Sequence, residues 1–272
     1  MAGYDPLIIF VSVLTFIAGV IFGSFYNVCI YRIPMGLSII GKGTPSMCLK
    51  CKHPVAFYDN IPLLSYLILR GKCRYCKQHY SIRYFFVELL TGLFALECFL
   101  TWGATFTLRG GFTAVLYFIF ISVLIIITFI DIDHGIIPDV ISLPGIPIFF
   151  VLTWLIVPTM TWWNSLLGII AGGGILLAVS IAYKVVTKRE GMGGGDVKLL
   201  AMIGAVIGWQ GVLFTIFVSA IVGTIAGIIL MLKNRRSLSL SMPYGPFLSL
   251  GAILYLFFGE TLFAWYISLL TF

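Results

Sequence analysis

Between Leu7 and Tyr31 the chain has 25 consecutive residues without a charge, more than the ~20 apolar residues that cross a bilayer core of about 30 Å. One such run already commits the chain to a lipid environment. The first basic residue, Arg32, follows the run instead of preceding it. That is the reverse of a removable leader sequence, so the run is expected to stay as an anchor. Further apolar stretches occupy approximately Tyr84–Thr101, Gly111–Ile130, Val140–Val157, Leu166–Tyr183, Val197–Gly208, Val212–Leu232 and Tyr244–Phe272. The expected fold class is an all-α polytopic integral membrane protein of about eight transmembrane helices. The sixth is short, and the last is either one tilted span or a span followed by an interfacial segment after Gly259.

Only 10% of the residues are charged, against about 25% in soluble domains. The net charge of +7 would suit a nucleic-acid partner if the bases formed one exposed patch, but they sort by loop. With the N-terminus outside, the bases at 32–83, 184–198 and 233–236 all face the cytoplasm, and Arg109 alone of the 17 faces out. The positive-inside rule therefore fixes the orientation and excludes the nucleic-acid reading. Residues 1–31 form the first transmembrane helix, 32–83 a small cytoplasmic domain, and 84–272 a membrane domain of about seven helices.

The cytoplasmic segment holds Cys48-x-x-Cys51 and Cys73-x-x-Cys76. Two such thiol pairs at this separation match a zinc ribbon, in which four thiolates enclose Zn²⁺ tetrahedrally and leave no open coordination position. Disulfides or a redox pair are the alternatives, and the reducing cytoplasm disfavours structural disulfides. Cys29 and Cys98 lie in apolar helices and read as packing residues.

Two acids stand at the ends of apolar runs: Asp131 in Asp131-Ile-Asp133-His134-Gly-Ile-Ile-Pro138-Asp139, and Asp196 after Gly193-Gly194-Gly195. An acid near hydrocarbon costs about 2.5–3.5 kcal/mol at a helix centre, so it points to function unless it merely marks the water boundary. The glycine run tips the balance. Gly193 and Gly195 are expected to allow positive φ and close approach of an extended peptide to Asp196. Two carboxylates brought together share one proton, so one activates water while the other protonates the scissile group, which is aspartic protease chemistry. His134 reads as an interfacial residue. The main rival is a proton-coupled transporter using Asp131 and Asp196 as a relay, though no internal repeat supports it. A non-enzymatic assembly factor would leave the glycine–aspartate loop unexplained.

These residues resemble the type IV prepilin peptidase family. The similarity runs through Gly23-Ser24-Phe25-Tyr26-Asn27-Val28 with Arg32-Ile33-Pro34, both cysteine pairs, Asn60 to Tyr66, Arg70 to Cys73, Glu88-Leu89-Leu90-Thr91-Gly92, Asp131 to Asp139 and Gly191 to Lys198. Leu49 departs from the proline that many members have after the first cysteine. The resemblance implies that Asp131 and Asp196 are catalytic, with Asp133 and Asp139 accessory. It further implies cleavage of a basic leader after a glycine in prepilins and pseudopilins, at the cytoplasmic face of a bacterial inner membrane. S-adenosyl-L-methionine would then methylate the new N-terminus, usually phenylalanine. No G-x-G-x-x-G dinucleotide motif is present, so the methyl-transfer site is expected in the 32–83 domain and helix ends, with Gly23, Asn27, Arg32 and Glu88 as candidates. Asp133, Asp139 and Glu190 are candidate contacts for the leader's positive charge.

Overall fold

A computed structural model of the chain describes residues 5–39, 48, 50–188, 193–234 and 242–270. Leu49, Glu190 and Gly191, named above, lie outside the described residues. The elements are α1 (Pro6–Arg32), a 3₁₀ turn (Phe57–Asn60), α2 (Leu64–Ile68), α3 (Arg83–Cys98) with a π-helical turn (Phe99–Gly103), α4 (Leu108–His134), α5 (Asp139–Ile156), α6 (Trp162–Thr187), α7 (Gly194–Asn234) and α8 (Gly245–Leu270). Among the described residues, each apolar stretch expected to be helical is helical over all but its end residues. Among the described residues, six helices are long and apolar enough to cross a membrane, and Gly245–Gly259 adds a shorter apolar segment. The protein is a multi-pass membrane protein.

The two stretches expected as a short sixth and a full seventh helix follow each other without a loop across the 41 residues labelled α7 and remain two helices joined at a kink. Straight, α7 would be about 60 Å long, twice a hydrocarbon core. It is broken at Gly208, where φ is 70° and ψ −179°. A Cβ there would lie 2.8 Å from Asn164 Oδ1, so both backbone conformation and space require glycine.

The chain divides into two compact units, Met1–Ile126 and Ile127–Phe272. In the first, Asp5 caps α1 by accepting the Leu7 N–H at 3.0 Å, with Pro6 in the first turn and its φ suited to that place. α1 then crosses α3 through small residues. A Cβ on Gly19 would approach Gly92 Cα to 2.9 Å, and one on Gly23 would approach Glu88 Cα to 2.7 Å. The four-residue spacing of Gly19 and Gly23 on α1 is the small-xxx-small geometry that lets membrane helices touch backbone to backbone. Cys29 and Cys98 are buried in this unit, as packing residues should be.

In the second unit, α6 and α7 approach just as closely. A Cβ on Gly172 would stand 2.7 Å from the Leu200 carbonyl carbon, and the Ser165 hydroxyl donates to Ala205 O at 2.6 Å. Thr161 caps α6 by accepting from Asn164 N–H. These contacts anchor α7, the helix that carries Asp196 in its first turn.

Candidate active site and metal centre

Asp131 sits in the last turn of α4, which closes on the Gly135 N–H donating to Asp131 O at 2.8 Å. Gly135 has φ +66°, the left-handed conformation that ends a helix without Cβ strain. The chain then turns through Ile137 and Pro138 into α5. Asp196 begins α7, and Gly245 begins α8. Four helix ends of the second unit therefore meet at one place.

Both acids are buried, Asp131 at 5% exposure and Asp196 at 9%, which removes the reading in which they only mark a water boundary. Asp131 Oδ2 accepts the Gly245 N–H at 2.9 Å, while the Gly193 backbone reaches the Asp196 carboxylate. The two carboxylates are within electrostatic reach of each other. Ile137 wedges between the supporting glycines. A Cβ on Gly195 would lie 2.8 Å from Ile137 Cβ, and one on Gly245 would lie 3.4 Å from Ile137 Cδ1 and 2.7 Å from Asp131 Oδ2.

The reason for the glycines differs from the expected one. Neither Gly193 nor Gly195 has positive φ. Gly195 is required by the close approach of Ile137, whereas a Cβ on Gly193 would come no nearer to the described residues than 3.5 Å, at Asp196 Oδ2, an ordinary contact. Gly245 and Ile137 were not expected from sequence. The glycine that opens α8, in Tyr244-Gly245-Pro246, is the only local sign of a tight helix entry.

Asp139, expected to be open to a leader, holds Lys198 through both carboxylate oxygens at 2.7 and 2.8 Å. This pair joins the start of α5 to the first turn of α7, two residues beyond Asp196. Asp133 and His134 are exposed in the last turn of α4.

The first unit holds two further groups of candidates. Cys48, Cys51, Cys73 and Cys76 place their sulfurs within 4.8 Å of one another. The Sγ atoms of Cys48 and Cys76 are 3.7 Å apart, and those of Cys51 and Cys73 are 4.0 Å apart. A disulfide would need about 2.05 Å. A tetrahedron with Zn–S bonds of ~2.3 Å has edges of about 3.8 Å, so the four thiols fit Zn²⁺ and do not form disulfides.

The loop is built twice over. Lys52 N–H donates to Cys48 O at 2.8 Å and Lys77 N–H to Cys73 O at 3.1 Å, and both lysines have positive φ, 55° and 56°. In each turn the backbone N–H groups two and three residues on also point at the first sulfur. Those of Cys51 and Lys50 hold the Cys48 thiol below its ordinary range, and those of Cys76 and Tyr75 help hold Cys73 down to about 6. Although the His53 N–H pulls it down, burial and the three neighbouring thiols push Cys51 up to about 11, so without metal the cluster holds protons and thiolates together, and metal binding releases the protons.

Gly23, Asn27 and Glu88 meet at the crossing of α1 and α3. Asn27 Nδ2 donates to Tyr84 O at 3.2 Å, while its Oδ1 is buried without a partner among the described residues. The Glu88 carboxylate, also buried, accepts the Leu63 N–H at 2.8 Å and a bond from Ser24. Leu63 has φ 60°, so Glu88 holds a strained loop residue against α3. Arg32 lies beyond this cluster and donates to Ser38 O at 3.2 Å.

Two domain descriptions match the chain: the bacterial peptidase A24 N-terminal domain over residues 17–102, and the type IV leader peptidase family over residues 118–228. Three curated proteins named prepilin leader peptidase/N-methyltransferase are similar along nearly their whole length. That of Aeromonas salmonicida is 35% identical, covering 94% of this chain and 93% of its own. That of Pseudomonas aeruginosa is 34% identical, over 93% and 92%. That of Neisseria gonorrhoeae is 35% identical, over 92% and 91%. No solved structure matches the chain.

Proposed function

Because the chain belongs to the type IV leader peptidase family, we propose that it removes the basic leader from prepilins and pseudopilins after a glycine and then methylates the exposed α-amino group. The observation that carries the peptidase reading is that two buried acids, Asp131 at the end of α4 and Asp196 at the start of α7, lie within electrostatic reach of each other. Nothing in the relatives favours a transporter that would use the same acids as a relay.

The two carboxylates share one proton, because two adjacent negative charges in a buried site oppose each other. The ionised carboxylate takes a proton from water as the water oxygen attacks the scissile carbonyl carbon. The protonated carboxyl gives its proton to the carbonyl oxygen. The carboxyl that took water's proton then protonates the leaving nitrogen, and the tetrahedral intermediate collapses to acid and amine as the other carboxylate takes back a hydroxyl proton. The roles belong to the pair, since the two acids titrate together. The Gly245 N–H fixes the Asp131 carboxylate, and Gly195 against Ile137 fixes the start of α7. The distribution of basic residues supports a position for this site and for the four-cysteine loop at the cytoplasmic face of the inner membrane.

For methyl transfer, S-adenosylmethionine supplies an electrophilic methyl group, and the chain must hold the α-amine and remove its proton. The Glu88 carboxylate and the Asn27 Oδ1 are two buried acceptors at one helix crossing, and they suit an ammonium group. Zn²⁺ on Cys48, Cys51, Cys73 and Cys76 would hold the loop together, its four thiolates leaving no position for substrate.

Mass analysis of a prepilin incubated with the purified protein and S-adenosylmethionine tests both activities. Leader loss is expected for the wild type and absent for Asp131→Asn and Asp196→Asn. Methylation adds about 14 Da to the mature product and is expected to be lost in Glu88→Gln, which keeps an acceptor for Leu63 N–H. Normal cleavage by both aspartate variants would overturn the dyad assignment.

A further inference from the structure

The short helix α2 carries an apolar surface in the most basic part of the chain. Leu67 is 60% exposed and Ile68 73%, with Ile61 and Leu64 also exposed. Its other side is fastened to α3 at two points. Leu63 N–H donates to Glu88 Oε2 at 2.8 Å, and the Tyr66 ring centroid lies 5.6 Å from that of Phe85.

These two fastenings set the depth of α2. Arg83–Gly103 is a candidate span of 21 residues, about 31 Å long and barely enough for a core of about 30 Å. With no length to spare, Arg83 stands at the boundary, and Phe85 and Glu88 lie roughly 3 and 7 Å inward. The Glu88 side chain leans toward the helix N-terminus and so reaches back toward the boundary. α2 therefore lies at headgroup depth and does not stand off in water. Ile82 and Phe86 are exposed at the same level of α3.

Charge selects the occupant. From Arg32 to Arg83 there are nine Lys or Arg and one acid, Asp59, and Asp59 is committed to Arg74. Arg70 and Lys72, both exposed, follow α2 directly. A second copy of the chain would bring the same positive charge to this surface, whereas anionic headgroups complement it. We propose that Ile61, Leu64, Leu67 and Ile68 insert into the interfacial layer of an anionic bilayer, with Arg70 and Lys72 at its phosphates, and so hold the four-cysteine loop down on the membrane.

The full chain in nanodiscs with and without phosphatidylglycerol, carrying a genetically encoded spin label at Leu67, Ile68 or the knuckle residue Tyr75, provides the test. Zinc content serves as the check of fold. At Leu67 and Ile68 the polar nickel relaxation agent should collide roughly fivefold less than at Tyr75 while oxygen collides more, the pattern of a lipid-immersed site. Arg70→Glu with Lys72→Glu should shrink that contrast only when phosphatidylglycerol is present. Equal nickel access at all three positions would overturn the proposal. So would exclusion of both reagents at Leu67 and Ile68, because that pattern would mean a protein surface covers them.

Discussion

The cysteine loop and the acid site fix their reactive groups by opposite means. In the loop, each pair of sulfurs is aimed by its own short turn, and the same turn occurs twice, ending at Lys52 and at Lys77. In the acid site the Gly193 backbone supports Asp196 locally, but what brings Asp131 and Asp196 together is long-range. Asp131 is placed by the end of α4 and the Gly245 N–H, and Asp196 by the start of α7, a helix held by glycine contacts to α6. The loop's geometry is therefore local and should depend on its metal. The acid site's geometry is a property of the whole second unit and should be independent of that metal.

Metal removal should break this contrast most sharply. Cys73→Ser, or prolonged chelation, is expected to abolish bound zinc and open the loop to protease, since structural zinc sites contribute about 10–16 kcal/mol in small domains. The acid site should keep its fold, read as unchanged helical content and thermal stability of the membrane helices. Next in size, Gly245→Ala puts a Cβ 2.7 Å from Asp131 Oδ2 and should lower kcat for leader cleavage about 10- to 100-fold, because sub-ångström to 1 Å displacements of catalytic groups have that scale of effect. Gly195→Ala should act similarly through Ile137. Gly193→Ala, which meets no such contact, should stay within about threefold of wild type. Equal losses at Gly193 and Gly195 would show that backbone freedom, and not space, is what the loop needs.

Smaller effects separate the two regions by charge. Lys198→Met should reduce cleavage only a few-fold, since a partly exposed ion pair contributes about 0–1 kcal/mol. Its effect should be reproduced by Asp139→Asn and should not add to it. In the loop, the Arg74 guanidinium bonded to Asp59 holds that carboxyl below its ordinary range. A depressed folded value means the stabilisation is complete above the unfolded value of about 3.9 and is lost as pH falls through the folded one. The stability difference between wild type and Asp59→Asn should therefore be constant near neutrality and close only below about pH 4.

Much of this was legible in the sequence because membrane helices and metal knuckles announce themselves locally. Uncharged runs gave the helices, and the two CxxC pairs gave a sulfur cluster whose spacings match a metal tetrahedron. The break expected between Gly208 and Val212 is real: the backbone leaves helical geometry at Gly208, so α7 is two helices in direct succession, as the two apolar stretches suggested. What escaped was everything set by long-range contact. Gly245 N–H on Asp131 and Ile137 against Gly195 join residues with no shared local pattern. Lys198 pairs with Asp139, a tie between α5 and α7 that leaves the Asp139 side chain largely exposed. The glycine run pointed to the correct loop for a reason only half right: close approach holds at Gly195, and positive φ holds at neither supporting glycine.

The central claim is that Asp131 and Asp196 work as one unit. Single-turnover leader cleavage by Asp131→Asn, Asp196→Asn and the double variant, each checked for wild-type thermal stability, tests it directly. A shared-proton pair predicts that all three fall to the same residual rate, because removing either partner already destroys the unit. If the losses instead multiply in the double variant, or if one single variant keeps substantial activity, the two acids act separately and the account fails.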